Sequence, residues 1–137
     1  YVRFATFFIA YLTPSTGHIT YVNAGHNLPI MVRADESIEE CAPTGMPVGM
    51  MDGSNYTTGE ITLQHGDLFS LFSDGIPETL RPDDEEYGED NFKNLLVKQR
   101  TGDLKELFNV LQQELEEFRG EAEIGDDVTL VTLRRNQ

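Results

Sequence analysis

Apolar periodicity changes twice along this chain, and the order of those changes restricts the fold more than any other feature. From residue 2 to residue 73 the apolar residues come in short β-branched and aromatic runs broken by Pro, Gly, Asn and Asp. Over 103–118, "DLKELFNVLQQELEEF", they recur at helical spacing instead, with Leu104, Leu107, Phe108, Leu111, Leu115 and Phe118 on one stripe. Asp103 followed by Glu106 predicts a capping box at the start of that helix, and Gly120 predicts its end. A β-branched pattern then returns in "DDVTLVTLRR". Strands, then helices, then one last strand predict an α+β fold with helices packed on antiparallel sheet.

Within that order, residues 2–12 combine aromatic, β-branched and small residues, which suits a strand buried on much of both faces. "TPSTG" turns it into a second strand, "HITYVNAG", to make a hairpin. A third short strand covers 28–33, with Pro29 placing it near an edge or a strand start. Residues 34–55 read as loop around a short extended piece at 37–41. Strands at 56–63 and in "LFSLFS", joined by "QHGD", read as a second hairpin that includes His65. The acidic stretch 81–90 leads to a short helix near 90–99, with Phe92, Leu95 and Leu96 on one face.

At 137 residues the chain fits a single domain, 1–137. Its 24 acidic and 10 basic residues give a formal charge of −14. That charge argues against nucleic acid or an anionic membrane as partner, because the phosphate field repels it, and favours cations or basic protein surfaces. The single Cys41 cannot form an intramolecular disulfide and reads as a small packed residue in a reducing, cytoplasmic setting. No apolar run reaches the roughly 18 residues needed to span a bilayer, and no signal segment opens the chain. It starts without Met, already in strand-like pattern, and so reads as cut close to a structural element.

Two acidic spots share one arrangement. In "FSDG", Asp74 and Gly75 follow an apolar strand; in "GDD", Asp126 and Asp127 follow Gly125 and precede the last strand. If the two strand ends meet, these carboxylates crowd together, and like charges about 4 Å apart repel by roughly 4 kcal/mol at an effective dielectric near 20. A raised pKa or a bound hard cation such as Mg2+, Mn2+ or Ca2+ would relieve this. On spacing alone the turn reading stands beside the metal reading, and Asp-Gly is the commoner as a turn. Elsewhere there is no nucleophile elbow, and Ser73 has no neighbouring His to activate it. His26 in "NAGHN" reads as a loop histidine bonded to backbone. "DGSNYTTGE" at 52–60 lacks the acidic or amide residues a calcium loop needs at its third and fifth positions.

Taken in order, "TFFIAYLTPSTGHITYVNAGHNLPIMV", "TGMPVGM", "LQHGDLFSLFSDGIPE", "YGEDNF" and "GDDVTLVTLRR" resemble the C-terminal portion of the bacterial SpoIIE/RsbU-type serine/threonine phosphatases, of the metal-dependent 2C-like superfamily. The resemblance implies a β-sandwich flanked by helices, with two Mn2+ or Mg2+ ions at one end of the sheets. It implies that Asp74 ligates one metal and Asp126 the other. Asp127 would support the site without direct ligation, and Gly75 would let its loop pass close to it. The chemistry implied is hydrolysis of phosphoserine or phosphothreonine by a metal-activated water, with no protein nucleophile. The implied partners are a phosphorylated, STAS-like anti-anti-sigma regulator and an upstream sensor or receiver domain.

The family's first Asp-Gly metal element would precede residue 1. The expectation is therefore a fragment without its N-terminal strands and helices, with low or no metal occupancy and weak or no activity alone. An uncovered edge and apolar face would favour a homodimer or strand exchange. The competing readings are a non-catalytic phosphatase-like module that binds a regulatory protein, and an acidic α+β module whose Asp-Gly turns are structural only.

Overall fold

A computed structural model describes residues 3–136, so residue 2 of the expected first strand lies outside the described residues. The elements are strands β1 (Phe7–Thr13), β2 (His18–Ala24), β3 (Ile30–Val32), β4 (Ile38–Glu40), β5 (Gly59–Thr62) and β6 (Leu68–Phe72), helices α1 (Gly88–Gln99) and α2 (Leu104–Arg119), and strand β7 (Leu130–Arg134). They form two antiparallel sheets, ordered β1-β2-β5 and β4-β3-β6-β7.

Strand alternation explains the layering. In β3, Met31 points to one face of its sheet and Ile30 and Val32 to the other; in β6, Phe69 opposes Leu68 and Phe72 in the same way. Met31 and Phe69 join Ile19 and Tyr21 of β2 and Ile61 of β5 in a core between the two sheets. Ile30, Val32, Leu68 and Phe72 join Phe92, Leu95 and Leu96 of α1 and Leu107, Leu111 and Leu115 of α2 in a second core. The two central strands of this sheet, β3 and β6, are therefore buried on both faces, by the other sheet and by the helix pair, while its edge strand β4 is exposed.

Each helix follows its sequence signals. Asp103 Oδ1 accepts from the backbone N–H groups of Lys105 (2.7 Å) and Glu106 (3.4 Å), and Gly120 ends α2 at φ 54°. Only the Asp103 half of the expected capping box forms among the described residues.

Two expectations are corrected. β1 is not buried on both faces: Phe7, Ile9 and Tyr11 are exposed, because it is an edge strand and both helices pack on the other sheet. The strands at 59–62 and 68–72 are not a hairpin. β5 pairs with β2, while β6 pairs with β3 and β7. Residues 63–67 carry the chain from one sheet to the other, and Asp67 holds the crossing. Its buried carboxylate accepts from the N–H of Gln64 (2.8 Å), the N–H of Ala34 (3.0 Å) and Arg33 Nη1 (2.6 Å). His65 sits in this crossing and contacts the Asn136 carbonyl. Among the described residues no helix is long and apolar enough to cross a membrane.

Candidate metal centre

β6 and β7 place the two acidic spots side by side. Past the last paired residue of β6, Ser73 extends the ladder by one step, its N–H donating to Thr129 O at 3.0 Å. Its side chain then links the loops: Ser73 Oγ donates to Asp127 O and accepts from Thr129 N–H, both at 2.9 Å. The chain next winds through a tight turn closed by Glu78 N–H to Asp74 O (2.9 Å) and Thr79 Oγ1 to Gly75 O (2.7 Å). Ile76, fully buried in the helix-side core, anchors that turn.

Gly75 is required here for space. A Cβ at this position would lie 2.4 Å from Asp127 O and 2.9 Å from its carbonyl carbon. Gly125, in contrast, has nothing within 4 Å of such an atom. Gly75 therefore lets its turn approach the backbone of the Asp126–Asp127 loop closely.

The strand ends meet, and Asp74, Asp126 and Asp127 are all exposed beside their junction. Among the described residues the Asp74 and Asp127 carboxylates have no hydrogen bond or ion pair. Asp126 uses Oδ1 to accept from Asp127 N–H at 2.7 Å. Free carboxylate oxygens on backbone this tightly tied suit a hard divalent cation in donor type. In number they are short of a site: no three His, Cys, Asp or Glu side chains among the described residues group closely enough to hold a metal ion.

"NAGHN" is a structural turn. Asn23, fully buried, donates from Nδ2 to His26 O (3.0 Å) and accepts at Oδ1 from His26 N–H (2.8 Å). The role expected of the His26 ring thus falls to the Asn23 side chain. Sequence reasoning also missed Ser73, weighed only as a nucleophile, and Thr129. The available signal was a hydroxyl residue closing one strand where a β-branched residue opens another, legible only once β6 and β7 are known to pair.

Beside the junction, α2, the 75–80 turn and the 123–128 loop enclose a cleft of about 690 Å3 that Gly75, Asp126 and Asp127 also line. With this arrangement established, comparison with known proteins decides the family. The model for stage II sporulation protein E (SpoIIE) matches residues 1–136. The chain belongs to the SpoIIE family. It is 25% identical over 133 residues to the phosphoserine phosphatase RsbU of Bacillus subtilis, covering 96% of this chain and 39% of RsbU. The solved RsbU and RsbW domains of Rv1364c from Mycobacterium tuberculosis match with TM-score 0.76 and 28% identity, over 96% of this chain and 36% of that one. The manganese-presoaked phosphatase domain of SpoIIE from Bacillus subtilis shares the fold, with TM-score 0.73 and 22% identity over 97% of this chain and 57% of that one. The fold is thus that of the 2C-like phosphatase domains, and the chain spans less than two fifths of the length of the curated relatives it matches.

Proposed function

We propose that this chain is the metal-ligating, C-terminal portion of a SpoIIE-type domain that hydrolyses phosphoserine or phosphothreonine on a regulatory protein. The observation that carries the reading is the junction of the two acidic loops. Ser73 and Gly75 lock together two acidic loops distant in sequence, and the Asp74, Asp126 and Asp127 carboxylates have no ion pair among the described residues. Asp74 and Asp126 would hold the divalent cations, Mn2+ or Mg2+. Asp127 would support them through its backbone contacts, and Gly75 would keep the loops in contact. When bound, such cations lower the pKa of the attacking water and neutralise charge on the phosphoryl group. The chain's own part is to present two carboxylates from different loops on a fixed backbone frame.

The substrate class is the one the family resemblance implies: a phosphorylated STAS-like anti-anti-sigma regulator, acted on in the cytoplasm under control of an upstream sensor or receiver domain. The described residues supply fewer than three convergent ligands, so the isolated chain should bind metal poorly and turn over slowly. That same observation favours a second reading, a non-catalytic module that binds the regulator.

One assay separates the two: Mn2+-dependent phosphate release from a phosphoserine regulator by the full-length protein, with Asp74→Asn and Asp126→Asn variants. The expected loss is at least about 100-fold in each, since a metal ligand supports several kcal/mol of transition-state stabilisation. Full activity in both variants refutes the ligand assignment, and no activity in the wild-type protein with intact binding of the regulator favours the second reading.

A further inference from the structure

Phe108 belongs to the apolar stripe of α2, yet it is 41% exposed because it faces the cleft beside the acidic junction. Ile124 and Val128, also exposed, line the same cleft above a floor of Leu111 and Leu115. A concave apolar patch with a polar rim is the usual form of a contact surface. Here the rim is acidic: Glu78, Glu116 and Glu123 line it without an ion pair among the described residues. The cation that lines it, Arg119, keeps its Nε buried with no hydrogen-bond partner among the described residues. A buried donor in that state gains when an acceptor arrives.

These features fit one kind of occupant. Apolar side chains would fill the floor, Lys or Arg would match the three glutamates, and a backbone carbonyl of the same segment would accept from Arg119 Nε. The cleft also runs to Asp126 and Asp127, so whatever lies in it is held next to the carboxylates. We propose that the cleft is a docking groove for a basic, apolar segment of the phosphoprotein substrate, adjacent to its phosphorylated Ser or Thr. The assignment rests on the phosphatase reading above and extends it to the sequence character of the substrate.

The test uses the full-length protein and short phosphoserine peptides of two kinds, one with Leu and Lys flanking the phosphoserine and one with Glu and Ala. The wild type should favour the first by roughly tenfold in kcat/KM, about 1.4 kcal/mol. Phe108→Asp and the double variant Glu116→Lys/Glu123→Lys should bring that ratio near one. Both alter exposed positions, so the fold survives them. A ratio near one in the wild type, or one that both variants leave intact, overturns the groove. So does a rise in turnover of p-nitrophenyl phosphate in the variants, which would mean that another segment of the full-length protein covers the cleft. If the wild type releases phosphate from neither peptide nor from the phosphoserine regulator, the phosphatase reading fails, and fluorescence anisotropy judges the groove separately. There the unphosphorylated Leu/Lys peptide should bind roughly tenfold more weakly to both variants, and equal binding overturns the proposal.

Discussion

Replacing Gly75 with Ala tests whether contact between the two acidic loops is a matter of space. The added methyl would sit 2.4 Å from Asp127 O, 2.9 Å from Asp127 C and 3.4 Å from Asp126 C, all backbone atoms that no side-chain rotation can move aside. One loop must therefore shift by something near an ångström. Overpacking of this kind costs about 1–3 kcal/mol. The shift also strains the three Ser73 hydrogen bonds, to Thr129 O, Asp127 O and Thr129 N–H. Weakening two of them adds about 1 kcal/mol, since such bonds contribute about 0.5–1.5 kcal/mol each. The total expected for Gly75→Ala is about 2–4 kcal/mol, a large share of a typical domain's stability.

Gly125→Ala is the matched control in the opposite loop. It meets nothing within 4 Å and does not have a positive φ, so it should be neutral or stabilising by up to about 1 kcal/mol through the unfolded chain. Ser73→Ala, which removes bonds without adding bulk, should fall between them at about 1 kcal/mol. Urea unfolding followed by circular dichroism measures all three, and Mn2+ titration of the full-length variants should rank them in the same order. Gly75→Ala lying within 0.5 kcal/mol of Gly125→Ala would refute the steric argument, and with it the claim that the loops are held in contact.

Three further outcomes follow from other parts of the molecule. Asp67→Asn should destabilise the protein by about 3 kcal/mol in urea unfolding, because Arg33 and the Gln64 and Ala34 N–H groups lose a buried, charged acceptor; Glu39→Gln, at the exposed end of the same cluster, should cost under about 1 kcal/mol. Burial pushes the Cys41 thiol up to about 11. Its folded value lies above its unfolded one, so its contribution to stability is complete below about pH 8.5 and lost as pH rises through 11. Urea midpoints should therefore fall over that range in wild type and fall less in Cys41→Ala. The uncovered side of β1, carrying Phe7, Ile9 and Tyr11, should make the chain associate as concentration rises in light scattering. Ile9→Lys should suppress this, and a monodisperse wild-type monomer would count against it.

What could be read in advance divides along local and non-local lines. The long helix was legible because its stripe and its Asp103 cap lie within one segment, and the acidic strand ends because Asp and Gly sit together there. The turn "QHGD" was legible as a turn, but not as a passage between sheets, since partner choice for β5 and β6 depends on β2 and β3. Burial of β1 was overstated because composition shows that a strand could be covered and not whether a layer covers it. The part played by Ser73 depends on the register of β6 against β7, which nothing near residue 73 encodes.

That pairing also has a consequence in time. Ser73 and Asp127 are 54 residues apart in sequence, and both helices lie between them. Closing so long a loop adds little to the final free energy, which grows only with the logarithm of its length, but it slows the search for the native pairing. The acidic junction should accordingly be among the last features to appear as the chain folds. Until residues 127–134 have left the ribosome, the Asp74 turn has no opposite wall to close against. Divalent-cation affinity, followed against refolding time, would then report arrival at the finished structure, and partly folded chains would be silent toward the metal.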